Sequence, residues 1–436
     1  MEKQFSVNRG ASTKQTPALS HLIKLFPIGL AFHLVCPSVI LGQMSTRVGD
    51  WPQWRGLNRD GVSQETGLIK TWPAKGPQLA WSTREVGIGY TGPAVVGDRI
   101  YTSGDWADGC YVLALERASG KLVWKSKIGK PGGNSTYPGP RATPTIDGDR
   151  LIAMNQHGDV VCLELKEGKV LWSKNLETDF GGARPMWHFG EAPLVDGDQV
   201  ICTPGGEQGT LLSLNKATGE VRWRCKEVTS PCAYASVVAA DIAGTRQYMQ
   251  LTVQNVFGVD AQSGALLWNA PRVGQRAIVP TPLYADQMVY VTSGYGVGCH
   301  AFKIEKKDEK FTATPVYAGK AIASHHGGVV KVGAHLYGYS DAGGWTCQDF
   351  KTGQIVWQDR GVGKGSITYA DGLLYCRCED GPVALVEATP AGYQERGRFS
   401  QPERSNKKAW PHPVIAGGRL YLRDQSLLLA YDISAK

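Results

Sequence analysis

One short pattern recurs along this chain and restricts its fold more than any other feature. Residues 113–116, Leu-Ala-Leu-Glu, lead through a Ser119-Gly120-Lys121 turn to Leu122-Val123-Trp124. This reads as an apolar strand, a turn closed by a glycine that takes positive φ at no steric cost, and a second strand carrying a Trp. The pattern returns at residues 163–169 before Trp172, 214–220 before Trp223, 259–265 before Trp268 and 348–354 before Trp357. From Trp81 to Trp268 these tryptophans are spaced 43–51 residues apart, and the gap on to Trp357 spans about two such units. A period in the forties, with several strands per unit, predicts an all-β propeller.

Eight four-stranded antiparallel blades fit the spacing, at about 91–127, 142–175, 192–226, 234–270, 279–318, 327–358, 366–399 and 411–433. Three departures from the repeat stand out. Blade five has a basic stretch, residues 303–310, in place of the Gly turn, and Val316-Tyr317 at the Trp position. In blade seven Phe399 stands where Trp is expected. Blade eight has three strands at the end of the chain, while Gln78-Leu79-Ala80-Trp81 is an outer strand with no inner strands before it. Pairing the two closes the last blade with an N-terminal strand and removes an open sheet edge.

The repeat, with Trp81, Trp124, Trp172, Trp223, Trp268 and Trp357 as its structural tryptophans, resembles that of pyrroloquinoline-quinone (PQQ) dehydrogenases. It is equally similar to that of BamB, an outer-membrane assembly lipoprotein that is not an enzyme. The resemblance covers residues 78–433 and implies that each Trp packs on the Gly turn of a neighbouring blade. It bears strongly on fold and weakly on function, because one architecture hosts many activities. A PQQ alcohol dehydrogenase of this family implies a Ca²⁺ held by Glu and Asn, a catalytic Asp, an indole beneath the quinone and a vicinal disulfide above it. This chain has no adjacent Cys pair and no Cys-x-x-Cys-His haem site.

Three regions follow: residues 1–43 as an export signal or membrane anchor, 44–77 as an extended segment packed on the propeller, and 78–436 as the propeller. The leader carries Lys14 and Lys24 before an apolar run from Leu25 to Leu41 that Pro27, His33 and Pro37 interrupt. Leu34-Val35-Cys36 resembles a lipoprotein box with an ill-fitting Val; cleavage and retention as a tether both stay open. Localisation is expected in the periplasm or cell envelope. The net charge of +8 includes Lys3, Arg9, Lys14, Lys24 and Arg47 against Glu2 in the first 47 residues, and the remainder is too mildly basic to argue for nucleic acid. The ten cysteines are scattered. Free buried thiols are the favoured reading, with Cys225–Cys232 and Cys376–Cys378 as the alternatives that an oxidising compartment allows.

Propellers carry function on the loops that lead into the innermost strands. Here those loops are unusual: Tyr137-Pro138-Gly139-Pro140-Arg141, Trp187-His188-Phe189-Gly190-Glu191, Ser230-Pro231-Cys232-Ala233-Tyr234, Ser324-His325-His326-Gly327-Gly328, Gly363-Lys364-Gly365-Ser366 and Trp410-Pro411-His412-Pro413. The channel-mouth candidates are Arg141, His188, Glu191, Tyr234, His325, His326, Lys364, Trp410 and His412. Their cationic and aromatic chemistry suits an anionic or sugar-like ligand, or a peptide. No metal-ligand spacing, P-loop, nucleophile elbow or carboxylate pair is present, and no catalytic residue is assigned.

The leading expectation is a monomeric ligand- or protein-binding scaffold of the cell envelope, BamB-like, with no metal and an envelope protein or a small-molecule or sugar ligand as partner. The alternative is a PQQ- and Ca²⁺-dependent alcohol or polyvinyl-alcohol dehydrogenase with Arg141, Glu191 and Lys364 near the quinone. The third is a polysaccharide-binding module, motivated by Trp187, Tyr234 and Trp410.

Overall fold

The computed structural model describes residues 49–435. The leader of residues 1–43, with Cys36, lies outside them. Eight antiparallel sheets follow in chain order, as the Trp spacing predicts. Blade one comprises Ala94–Val96, Arg99–Trp106, Gly109–Glu116 and Leu122–Gly129. Blades two to seven repeat the plan, with first strands at Thr145–Asp147, Leu194–Asp196, Val238–Ile242, Leu283–Ala285, Val329–Val332 and Gly365–Ala370. In blade eight Gln78–Thr83 pairs with Leu427–Asp432, bringing Trp81 opposite Ala430 and Thr83 opposite Leu428. The ring is therefore closed by strands from both ends of the propeller sequence.

The core lies between blades rather than within them. Each blade is covered on both faces, so its second and third strands read as nearly continuous apolar runs and are buried throughout, as in Leu373–Cys378. Eight apolar clusters occupy the eight seams; one joins Tyr101 and Val112 of blade one to Leu151 and Leu163 of blade two, another joins Tyr421 of blade eight to Ile100 of blade one.

The repeat Trp bolts each seam from outside. A Cβ at Gly120 would lie 2.6 Å from the Trp81 ring, so only glycine admits the indole there. Trp124, Trp172 and Trp223 sit in the same way on Gly168, Gly219 and Gly264 of the following blades. The indole N–H of Trp81, Trp172, Trp223 and Trp357 donates to the carbonyls of Arg117, Lys216, Ala261 and Thr389 in the next blade. Tyr317 replaces Trp in blade five and keeps both features, packing on Gly353 and donating its hydroxyl to Phe350 O at 2.8 Å. Phe399 of blade seven packs on Gly76, just before the closing strand. Trp268 departs from the expectation. Blade five has a long hairpin, Gly298–Lys307 with Lys310–Gly319, and no Gly turn to receive it, and the Trp268 indole instead donates to Gln247 in its own blade at 2.8 Å. All nine described cysteines are buried and free.

The segment before the closing strand does more than lie on the ring. Residues 51–63 touch the innermost edge of all eight blades. Trp51 bridges Val95, Pro52 O accepts from Ile146 N, and Trp54 Nε1 donates to Thr281 at 2.9 Å. Arg59 reaches Thr145, Ala192 and Val237; Arg55 reaches Val329 O. Val62–Ser63 adds a parallel strand to blade seven at Tyr369–Ala370, and Ser63 donates to Ile415 O of blade eight. The segment thus plugs the channel and covers inner sheet edges that would otherwise be unpaired. It leaves past Leu68 and Trp72, which join the seam between blades seven and eight.

Candidate functional site

Above the plug, the loops leading into the first strands enclose a cavity of about 190 Å³. Six of the nine candidates line it: Arg141, Tyr234, His325, His326, Trp410 and His412. Trp54, from the plug, also lines the cavity, and Tyr90, Tyr137 and Trp187 line the wall. Trp410 is the centre of an aromatic group, with its ring centroid 4.9 Å from both Tyr90 and Tyr137. Trp187 lies 6.1 Å from Tyr234. Trp410 Nε1 donates to Glu379 at 3.0 Å, which fixes the indole.

Arg141 Nη1 and Nη2 donate to the carbonyls of Gly139, at 3.0 Å, and Tyr137, at 2.6 Å, within its own loop. Its guanidinium lies 5.8 Å from the Tyr90 ring centroid. Burial lowers its pKa, and the Tyr90 and Tyr234 hydroxyls partly offset that.

Burial favours the uncharged form of the lining histidines. Burial, and then the charge of Arg55, hold His412 down to about 3. Arg55 can only donate, so the 3.4 Å contact makes His412 Nδ1 an acceptor and leaves Nε2–H to donate to His326 O at 3.0 Å. Burial, with His325 beside it, holds His326 well below the ordinary value. Neither ring nitrogen of His326 has a hydrogen-bond partner, and Nδ1 stands 3.9 Å from Glu379 Oε2.

Three candidates, Lys364, His188 and Glu191, do not line the cavity, and each is held by a neighbour. Lys364 pairs with Asp341 at 2.7 Å. His188, in the left-handed backbone region at φ 67°, packs edge-on against His157 at 5.4 Å. Glu191 is buried behind the wall and accepts from Thr203 N at 2.9 Å and Thr203 Oγ1 at 3.1 Å. Conversely, Trp54 and Tyr90 were not among the candidates. Tyr90 follows Gly87 and Gly89 on the loop into blade one, a glycine-rich signal comparable to the other loops; Trp54 carries no such signal, because its position depends on the plug.

Burial pushes the Glu191 carboxyl up to about 8. The folded chain then keeps a proton that the unfolded chain releases near 4.5, so this group's contribution is full below that pH and is lost as pH rises towards 8. Glu191→Gln cannot release a proton. Its stability relative to wild type, read from urea midpoints, is expected to rise steadily from pH 5 to pH 8; a constant difference would show that Glu191 is ionised in the fold.

The site does not fit a calcium-bound quinone. Among the described residues no group of three or more His, Cys, Asp or Glu side chains is arranged to hold a metal ion. No carboxylate lines the cavity, and of the three residues expected near the quinone only Arg141 does. The carboxylate pair needed for glycoside hydrolysis is likewise missing from the lining.

Comparison with known proteins agrees with this architecture. The BamB protein of Shewanella oneidensis is 22% identical over 230 residues, 52% of this chain and 54% of that protein, so the match spans about half its length. The crystal structure of BamB from Moraxella catarrhalis superposes with a TM-score of 0.58 at 15% identity, covering 82% of this chain and 99% of that one. A quinohemoprotein alcohol dehydrogenase from Pseudomonas putida shares the propeller, with a TM-score of 0.52 at 13% identity, covering 89% and 81%. These two likenesses speak for fold alone. Residues 108–359 match a PQQ-repeat family profile, and the chain accordingly belongs to the family described as outer membrane protein assembly factor BamB.

Proposed function

We propose that this protein is a binding scaffold of the cell envelope whose working surface is the plugged channel mouth. One observation carries the reading: a closed channel presents a cavity walled by rings from several blades, with no carboxylate and no metal-holding set in its lining. Such a lining can recognise a partner through its aromatic rings and Arg141, and it offers neither the carboxylate pair of a glycosidase nor a ligand set for a metal. Family membership supports an envelope partner, and the dehydrogenase alternative loses support because its cofactor lacks ligands.

Met186 stands on the rim beside Trp187 and is 75% exposed, which makes it a reporter of what docks there. A photoreactive amino acid at Met186 is expected to give a discrete adduct in the envelope fraction, while one at Val221 on an outer strand gives background only. Trp410→Ala should weaken the adduct. An identical pattern from both positions would remove the mouth as the working surface.

A further inference from the structure

If the mouth is the docking surface proposed above, its shape and charge also say what kind of segment docks there. An apolar cavity of roughly 150 Å³ accepts a benzene molecule. At about 190 Å³ the mouth cavity has room for one aromatic side chain. Its walls meet that space with rings. Trp410, Tyr90 and Tyr137 come from the loops into blades eight, one and two, and Trp187 and Tyr234 from those into blades three and four. An aromatic group between them gains face and edge contacts that an aliphatic one does not.

The rim beside this cavity is apolar. Met186 and Val273 are 75% and 72% exposed, more than any other large apolar side chain among the described residues. Met186 adjoins Trp187, and Val273 is on the loop that carries Ala277, so both stand on loops that line the cavity. Apolar side chains outside the cavity extend the contact beyond what a small solute can cover, and suit a protein surface.

Two arginines flank the cavity and make no ion pair among the described residues. Arg141 lines it from the loop into blade two. Arg276 is exposed on the loop into blade five, its guanidinium 5.7 Å from the centroid of Tyr295, another lining ring. Three blades separate the two arginines round the ring, so they approach an occupant from different sides. Arg55 is not available to it, being buried and bonded to Asp60 O, Val329 O and His412. The nearby carboxylates are engaged: Asp341 with Lys364, Glu379 and Asp380 with Lys408, and the buried Asp105 with Gly132 N and Gln156.

We infer that the mouth receives an aromatic side chain from a peptide segment of its partner that carries a carboxylate on either side, the ring entering the cavity and the carboxylates meeting Arg141 and Arg276. A neutral aromatic segment would leave both arginines unanswered. An acidic segment without a ring would leave the cavity to water. A free aromatic acid has one carboxylate and nothing to cover Met186 and Val273. A buried aromatic anchor with charged neighbours at the rim is the usual form of a binding hot spot.

The probes are short blocked peptides, titrated into the full chain and followed by calorimetry. One has a phenylalanine between two aspartates; the others replace the phenylalanine by leucine, or the aspartates by asparagines or by lysines. The first is expected to bind saturably, about tenfold more tightly than the leucine and asparagine peptides, with affinity falling as salt rises. In excess it should suppress the Met186 adduct. Arg276→Glu should abolish the preference for aspartates over lysines and keep that for phenylalanine over leucine. Arg276 is exposed, so this variant changes recognition without unfolding the ring. Tyr137→Leu should do the reverse, lessening the phenylalanine preference alone. Equal affinity for the phenylalanine and leucine peptides, lysine-flanked binding as tight as aspartate-flanked, phenylacetate binding as tight as the peptide, or no saturable binding by a folded chain would each overturn the inference. An adduct at Met186 without any peptide binding means that the segment's chemistry is wrong and the docking surface stands. Peptide binding without an adduct would uphold the chemistry and remove an envelope protein as its source.

Discussion

Arg423→Met is expected to lower the stability of the ring by on the order of 3–5 kcal/mol. Arg423 belongs to the second strand of blade eight, Arg419–Asp424, and is fully buried. Its guanidinium donates across the closing seam to Thr91 O at 3.1 Å, Ser103 O at 2.5 Å, and Val86 O and Gly87 O, each at 3.1 Å, as well as to Gln425 O at 3.0 Å and Thr102 Oγ1 at 2.5 Å. Met matches its length and supplies no donor, so several carbonyls lose a partner at once in a site that water does not reach. The loss is smaller than a sum over those bonds, because burial of the cation already costs the folded state: it drives the Arg423 pKa down to about 9. Lys at the same position keeps the charge with fewer donors and a different geometry, and should fall between the two. Urea unfolding of the three proteins measures this directly. An Arg423→Met chain within about 1 kcal/mol of wild type would mean that the seam is held by its apolar cluster alone.

The position of this seam is legible in the sequence, whereas its fastening is not. Trp81 without preceding inner strands, and three strands without an outer one after Val414, are complementary deficits, and the 3.6-residue period of a helix is nowhere needed to explain the pattern. Tyr317 and Phe399 could be assigned to Trp positions because each stands where the repeat places the outer-strand Trp. The redirection of Trp268 escaped because it depends on what the next blade lacks, a fact about a different part of the chain. The same limit separates the candidate residues. A histidine on a loop announces its place on the ring, since blade register sets that. Its freedom to meet a ligand depends on partners remote in sequence, as Asp341 is for Lys364 and Thr203 is for Glu191. Arg423 and Arg377 are the clearest cases: an arginine within an apolar strand looks like an exposed outward residue under period-two reading, yet both side chains are fully buried because each strand has a blade on either face.

The sequence shows the plug only as an extended segment packed on the propeller, and its loss should have the widest consequences. Arg59→Ala is expected to cost on the order of 2–4 kcal/mol and to release residues 49–67 to proteolysis. The Arg59 guanidinium donates to the carbonyls of Ala192 and Val237, each at 3.0 Å, to Pro193 O at 2.5 Å, and through Nε to Gln53 at 2.8 Å. It therefore ties the segment to blades three and four. Arg55 and Arg59 both hold positive φ, at 60° and 58°, a conformation uncommon for an L-residue. Removing the Arg59 side chain takes the donor from the carbonyls of Ala192 and Val237 at the channel wall, while Pro193 O keeps Thr145 Oγ1 at 2.6 Å. Gly61 tests the same region by a different route. It has φ 78°, and a Cβ there would stand 2.7 Å from Arg55 Nη2 and 3.0 Å from Val330, so Gly61→Val should also displace the segment. Because Trp54 lines the mouth cavity from this segment, either variant should weaken the adduct formed at Met186 while the outer blades keep their far-UV spectrum. Limited proteolysis with fragment mass determination supplies the decisive reading: cleavage confined to residues 49–67 fits a released plug, whereas an Arg59→Ala chain as resistant as wild type would show that the inner strands close the channel without it.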